Sequence, residues 1–209
     1  MQESLDNPSL EPFADCFHTL VNQENHQSNA LEEWQFAEFC LMPYLKTLFP
    51  RSEGFQISDP TRSSEAGKAY ISLTNNTLIA PEPDVVISKD DVERLGGEFK
   101  RPNKKCVSVS NDLVKLGNEL KFMLDTLIHD GNNDSTYVVG ILLEGVKCST
   151  YKLDLNYNGV YRLVELSCSD LMSNDFDFYP SISIFENIAQ LKPLYWLRKS
   201  FLPPLGFWL

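Results

Sequence analysis

Histidine is scarce in this 209-residue chain: His18, His26 and His129 are all there is, and no two fall as HxxxH. A histidine-ligated metal site therefore lacks its usual ligands. The five cysteines, Cys16, Cys40, Cys106, Cys148 and Cys168, are odd in number and never spaced as CxxC. That speaks against a disulfide framework and against a cysteine zinc site. No apolar run approaches the roughly 20 residues of a membrane-spanning helix. The opening Met1-Gln-Glu-Ser-Leu-Asp6 is acidic and has no apolar stretch of the secretory kind. An intracellular setting, nuclear or cytoplasmic, is the expectation. A Walker loop, a GxGxxG turn and a GxSxG elbow are all missing, so nucleotide loops and serine-hydrolase chemistry have no support. Basic charge is short as well: 18 Lys and Arg face 29 Asp and Glu, a net charge of −11. A chain of that sign does not coat nucleic acid or an anionic membrane by bulk charge, so any such binding needs a local basic patch.

What is present is ordinary globular material, 43% hydrophobic and 22% charged. The length fits a single domain, here residues 31–209 behind a polar, acidic arm over 1–30 that holds a short apolar stretch at Phe13–Val21. Residues 31–49 carry apolar side chains at helical spacing, with Pro43 placed to kink or split the helix. Residues 50–67 read as a polar loop. Short extended segments follow at Tyr70–Thr74, Asp84–Ser88 and Gly96–Lys100, with Lys89-Asp-Asp91 turning the chain, and together they read as an antiparallel meander.

The pattern over 110–129 predicts the clearest helix. Ser110 is placed as its cap, and Leu113, Leu116, Leu120, Leu124 and Leu127 form its apolar stripe. Tyr137–Leu143 reads as a buried strand. Cys148–Leu155 and Val160–Leu166 flank Asn158-Gly159, a strong hairpin signal. A last helix is expected over about 183–200, before an apolar tail at Phe201–Leu209. The sum is an α/β (α+β) fold: a mixed central β-sheet with an antiparallel meander, flanked by helices.

The chemistry concentrates between Pro83 and Lys100. Side chains alternate along a strand, so Glu98 and Lys100 share a face and Phe99 takes the other. Asp84 opens the neighbouring strand, where a short meander can bring it beside Glu98. Two converging carboxylates repel, and a hard divalent cation relieves that repulsion. Mg²⁺, or Mn²⁺, keeps several waters, so Asp84 and Glu98 suffice as metal ligands. Such an ion activates a water and neutralises phosphate charge, and Lys100 is placed to orient that water or to meet the phosphate.

Pro83-Asp84, followed fourteen residues on by Glu98-Phe99-Lys100, resembles the motif of the PD-(D/E)XK nuclease-like family. The strings GEFKRP, NDLVKLGNELKFMLD and YVVGILLEGVKCSTYKLDL are similar to uncharacterised fungal members of that family. The resemblance implies a restriction-endonuclease-like core, in the order helix, three-strand meander, helix, strand. It also implies an acid on the first helix, for which Glu33 is the candidate with Glu32 behind it. A polar residue on the helix after the motif is implied too, and Lys115 fits, on the same polar side as Asn111 and Asn118.

Arg94, Lys100, Arg101, Lys104 and Lys105 lie within twelve residues, and Lys115 and Lys121 follow. Such a patch could hold phosphates, with Arg101, Lys104, Lys105 and Lys115 as nucleic-acid contacts. The expected function is metal-dependent hydrolysis of phosphodiester bonds, in DNA first of all. The alternative is a nuclease-like scaffold that no longer cuts and binds protein or nucleic acid. The apolar tail would then serve a partner or self-association.

Overall fold

The computed structural model describes residues 11–21, 33–58, 64–74, 82–100, 109–131, 136–157, 159–171 and 179–192. Helices α1 (Glu11–Val21), α2 (Glu33–Cys40) and α3 (Met42–Leu48) lead into strand β1 (Phe55–Ser58) and helix α4 (Glu65–Thr74). Strands β2 (Val85–Lys89) and β3 (Val92–Lys100) precede the long helix α5 (Val109–His129). Strands β4 (Tyr137–Glu144), β5 (Lys147–Tyr157) and β6 (Val160–Asp170) and helix α6 (Tyr179–Ala189) complete the order. No described helix is long and apolar enough to cross a membrane.

The six strands form one sheet in chain order, β1-β2-β3-β4-β5-β6. All neighbours are antiparallel except β3 and β4, which run parallel. A parallel pair needs a long crossover, and α5 supplies it. The fold is therefore mixed α/β, with a mostly antiparallel sheet between two helical layers. Strand alternation feeds both layers. Val85, Ile87, Leu95, Phe99, Val139, Ile141 and Leu143 pack with α1, α2, α3 and α6. Val86, Val138 and Leu142 face the other way and pack with Leu116, Leu120, Met123, Leu124 and Leu127 of α5.

Several elements follow from local chemistry. The helix expected over 31–49 splits as Pro43 predicts: α2 ends at Cys40, Leu41 caps α3, and Pro43 sits in the first turn, where its missing N–H costs nothing. The short apolar stretch near Phe13 forms α1, which buries Cys16 and Leu20 in the core. Asp90 and Asp91 adopt φ of 53° and 60°. That is the backbone a two-residue hairpin turn requires, and Asp tolerates it better than most residues. Tyr157 pairs with Val160 across the second hairpin, where Gly159 has φ 79°; Asn158 lies outside the described residues.

Four expectations are corrected. Tyr70–Thr74 is not a strand but the second half of α4. Its helix is started from a distance: the Glu93 carboxylate of β3 accepts hydrogen bonds from the Glu65 and Ala66 N–H groups, and Ser64 Oγ accepts one from Gly67 N. A carboxylate at a helix N-terminus satisfies orphan donors and matches the helix dipole. The first meander strand is instead β1, inside the segment expected to be a polar loop. Ser110 lies within α5 and not at its cap. The last helix begins about four residues earlier than expected, at Tyr179; α6 ends at Ala189, Leu191 and Lys192 are again helical, and the rest of the expected span, 193–200, lies outside the described residues. The apolar tail at 201–209 lies outside the described residues.

Two glycines set how closely α5 approaches the sheet. Gly96 of β3 and Gly140 of β4 are register partners. A Cβ on Gly140 would lie 2.7 Å from Leu120 Cδ1 and 3.2 Å from Leu116 Cδ2, and one on Gly96 would lie 3.1 Å from Met123 Cε. The bare backbone forms a trough that the α5 side chains fill. We expect Gly140→Ala to destabilise the protein by about 1–3 kcal/mol, the usual cost of overpacking a filled core. Urea unfolding measures this, and an unchanged midpoint would show that α5 can shift without cost.

Candidate functional site

The trough brings one face of α5 over the end of β3. Asp112, Lys115 and Glu119 are spaced i, i+3 and i+7 and so share a side of the helix. Glu98 and Lys100 point to that side, while Phe99 turns away to stack on Trp34 of α2 with ring centroids 6.4 Å apart. The strand alternation read from the sequence thus holds at these three residues.

Asp84 stands just before β2, and its Oδ2 accepts a hydrogen bond from Phe99 N at 2.7 Å. This bond ties the first acid of the motif to the backbone of the second strand. Glu98 is buried, and its Oε2 lies 2.7 Å from Lys115 Nζ. The same ammonium stands 3.9 Å from Glu119 Oε1 and 3.4 Å from the Glu82 carbonyl. Lys100 pairs with Asp112, and both side chains are largely buried. Asp84, Glu98, Lys115 and Glu119 therefore interact across the sheet–helix boundary, while Lys100, on the same face of β3, is held by Asp112. Lys115 sits against the acids themselves and not on an outlying surface.

Glu119 was not singled out in the sequence, and it is the most buried acid here, its side chain 1% exposed. The signal was present: Glu119 falls between Leu116, Leu120 and Met123, on the apolar stripe where a carboxylate is out of place. No amide, hydroxyl or ammonium donor satisfies either Glu119 oxygen, nor Oε1 of Glu98 or of Glu144, which is the register partner of Lys100. Burial, then the charge of Glu98, pushes the Glu119 carboxyl up to about 10. Burial and the charge of Asp84 raise Glu98 as well, with Lys115 opposing them. Burial works against the charged form of Lys115, but the neighbouring Glu98 outweighs it and holds its pKa above the ordinary lysine value. At neutral pH Glu119 keeps its proton and offers it to Glu98.

The donor set suits a hard divalent cation. It is all oxygen, it is short of donors, and a lysine ammonium already stands in for a positive ion at Glu98. Among the described residues no three His, Cys, Asp or Glu side chains stand together as a ready cage. A cation here would be met by carboxylates that do not already form a cage, with water completing its shell, the habit of Mg²⁺.

The remaining candidates separate. Glu33 opens α2, but its side chain, like Glu32, Arg101, Lys104 and Lys105, lies outside the described residues. Lys121 pairs with Asp125 and lies over the rings of Tyr70 and Tyr161, so this part of the basic patch is engaged. Asp154 is fully buried and structural: Arg162 reaches both its oxygens, Lys152 adds a third contact, and together they hold its pKa below the ordinary value despite burial. A groove of about 590 Å³ runs past Phe55, Ile57, Ser64, Val86 and Glu93. None of Asp84, Glu98 and Glu119 lines it; its own acids are Glu65, Asp91 and Glu93, and Glu93 caps α4.

Comparison of the chain with protein-family models, with curated proteins and with solved structures returned no match.

Glu119 predicts a pH dependence. The unfolded chain releases this proton near 4.5 and the folded chain near 10. Between those values the native state binds one proton more than the unfolded state, so its stability falls as pH rises. The limiting slope is about 1.4 kcal/mol per pH unit. Glu119→Gln keeps the shape and removes the titration, so we expect its stability to decline less steeply than wild type. Urea midpoints across this pH range measure the difference, and parallel curves would mean that Glu119 is already ionised.

Proposed function

We propose that this protein is a metal-dependent phosphodiesterase acting on nucleic acid, DNA in the first instance, with a restriction-endonuclease-like core. The observation that carries the reading is the interaction of Asp84 and Glu98 with Lys115 and Glu119 at one end of the parallel β3–β4 pair, with Lys100 on the same face of β3 paired to Asp112 and the buried acids short of positive charge. The order of helix, antiparallel β1-β2-β3, helix α5 and parallel β4 supports it too, because this is the order the PD-(D/E)XK resemblance implies, with α4 inserted between β1 and β2.

Asp84 and Glu98 are the residues that would hold the cation. Mg²⁺ or Mn²⁺ supplies an activated water and neutralises charge on the scissile phosphate. The chain does the rest. Phe99 N fixes the Asp84 carboxylate through its hydrogen bond. Asp112 restrains the long Lys100 side chain, so that its ammonium stays on the acids' side of the sheet. Lys100 then orients the water or meets a phosphate oxygen. Glu33 would add an outer acid, and Arg101, Lys104 and Lys105 would contact the nucleic-acid backbone.

Cleavage of supercoiled plasmid and of single-stranded DNA in Mg²⁺ or Mn²⁺ tests the reading. We expect metal-dependent nicking by the wild type, reduced about a hundredfold or more by Asp84→Ala and by Glu98→Gln. Lys100→Ala should lower the rate while leaving cation binding in place. A second reading rests on the fact that both lysines are already engaged, Lys100 with Asp112 and Lys115 with Glu98. A wild type that neither cuts nor binds a divalent cation would overturn the catalytic reading in favour of this alternative, a nuclease-like scaffold that binds protein or nucleic acid without cutting.

A further inference from the structure

Lys115 and Glu119 differ sharply in freedom. The Lys115 side chain is 47% exposed, while the Glu98 and Glu119 side chains it bridges are 6% and 1% exposed. The ammonium therefore lies at the solvent edge of two buried acids, on a stem that is half exposed. Behind it, Glu98 Oε1 and both oxygens of Glu119 accept no hydrogen bond from an amide, hydroxyl or ammonium donor; only the proton of the Glu119 carboxyl is shared between the two acids. Such oxygens are costly in an apolar wall unless a positive charge meets them. One ammonium at 2.7 Å from Glu98 and 3.9 Å from Glu119 serves the first acid and barely reaches the second. A divalent ion carries twice the charge and binds oxygen ligands from several directions at once.

We propose that Lys115 is a resident counter-ion that a divalent cation displaces, and that Glu119 joins Glu98 in holding the cation. This rests on reading the site as a divalent-cation centre. It adds a ligand, Glu119, and a competitor, Lys115, to the residues the motif supplies. Without the cation, Lys115 keeps the acids together and the fold intact. With it, the freed ammonium stands beside the metal and reaches an incoming phosphate. The same side chain then serves as a plug in one state and as an anion contact in the other.

Calorimetric titration with Mn²⁺ at pH 8, with no nucleic acid present, tests this on the full chain. The proteins compared are the wild type, Glu98→Gln, Glu119→Gln and Lys115→Met, each checked for folding by circular dichroism. Glu119→Gln is expected to bind about tenfold or more weakly than wild type. Lys115→Met, which keeps the stem and removes the competing charge, is expected to bind more tightly. The opposite signs matter, because a misfolded variant only loses affinity. If Glu98→Gln loses binding while Glu119→Gln and Lys115→Met match the wild type, the counter-ion inference is overturned and the metal-centre reading survives. If neither the wild type nor Lys115→Met binds Mn²⁺, both fall together.

Discussion

Helix α5 lies on a trough of bare backbone, and much else depends on that contact. Gly96 and Gly140 face each other across β3 and β4; a side chain at Gly140 would collide with Leu120, and one at Gly96 would press on Met123. The closeness stabilises the α5 side of the core by filling it to ordinary interior density. It also brings a helix bearing Asp112, Lys115 and Glu119 against a strand bearing Glu98 and Lys100. The apolar packing and the charged cluster are one arrangement: the leucines determine the distance, and the ionisable side chains one position away occupy what that distance leaves.

The cluster is electrostatically expensive. Carboxylates drawn out of water repel one another and resist ionisation, which is why Glu98 and Glu119 both titrate above the ordinary carboxylate range. Lys115 offsets part of this cost and Asp112 engages Lys100. Asp154 shows the other outcome in the same molecule. There a buried acid is met by Arg162 and Lys152 together, its oxygens are satisfied, and its pKa falls. One acid is fully compensated and serves the hairpin. The other group is left short of positive charge, the difference on which the proposed cation site rests.

Much of this was legible beforehand, and for identifiable reasons. The apolar stripe of α5 is long and periodic, and it forms within a residue of its expected start. Pro43 divides α2 from α3 because a ring without an N–H fits only a first turn. The alternation of Glu98, Phe99 and Lys100 is a property of any extended backbone. Tyr70–Thr74 misled because its β-branched and aromatic residues suit a strand, whereas its helix depends on a cap from Glu93, distant in sequence. Local propensity does not register such a partner. Lys115 entered through a family resemblance, and its contact with Glu98 could not be read from spacing alone. Glu119 was overlooked because its place on the stripe looked like helix face and not like chemistry.

The residues by themselves determined the elements whose causes are local: the amphipathic α5, the split at Pro43, the two-residue turns, and a common face for Glu98 and Lys100. Periodicity and backbone sterics act within a few positions, so a one-dimensional string carries them. Only the tertiary structure decided which acids meet, that Lys100 goes to Asp112 and Lys115 to Glu98, and that Glu119 is buried without a donor. Those outcomes depend on how near α5 comes to the sheet. That distance is settled by volumes on two strands and a helix far apart in the chain, and no local pattern encodes it.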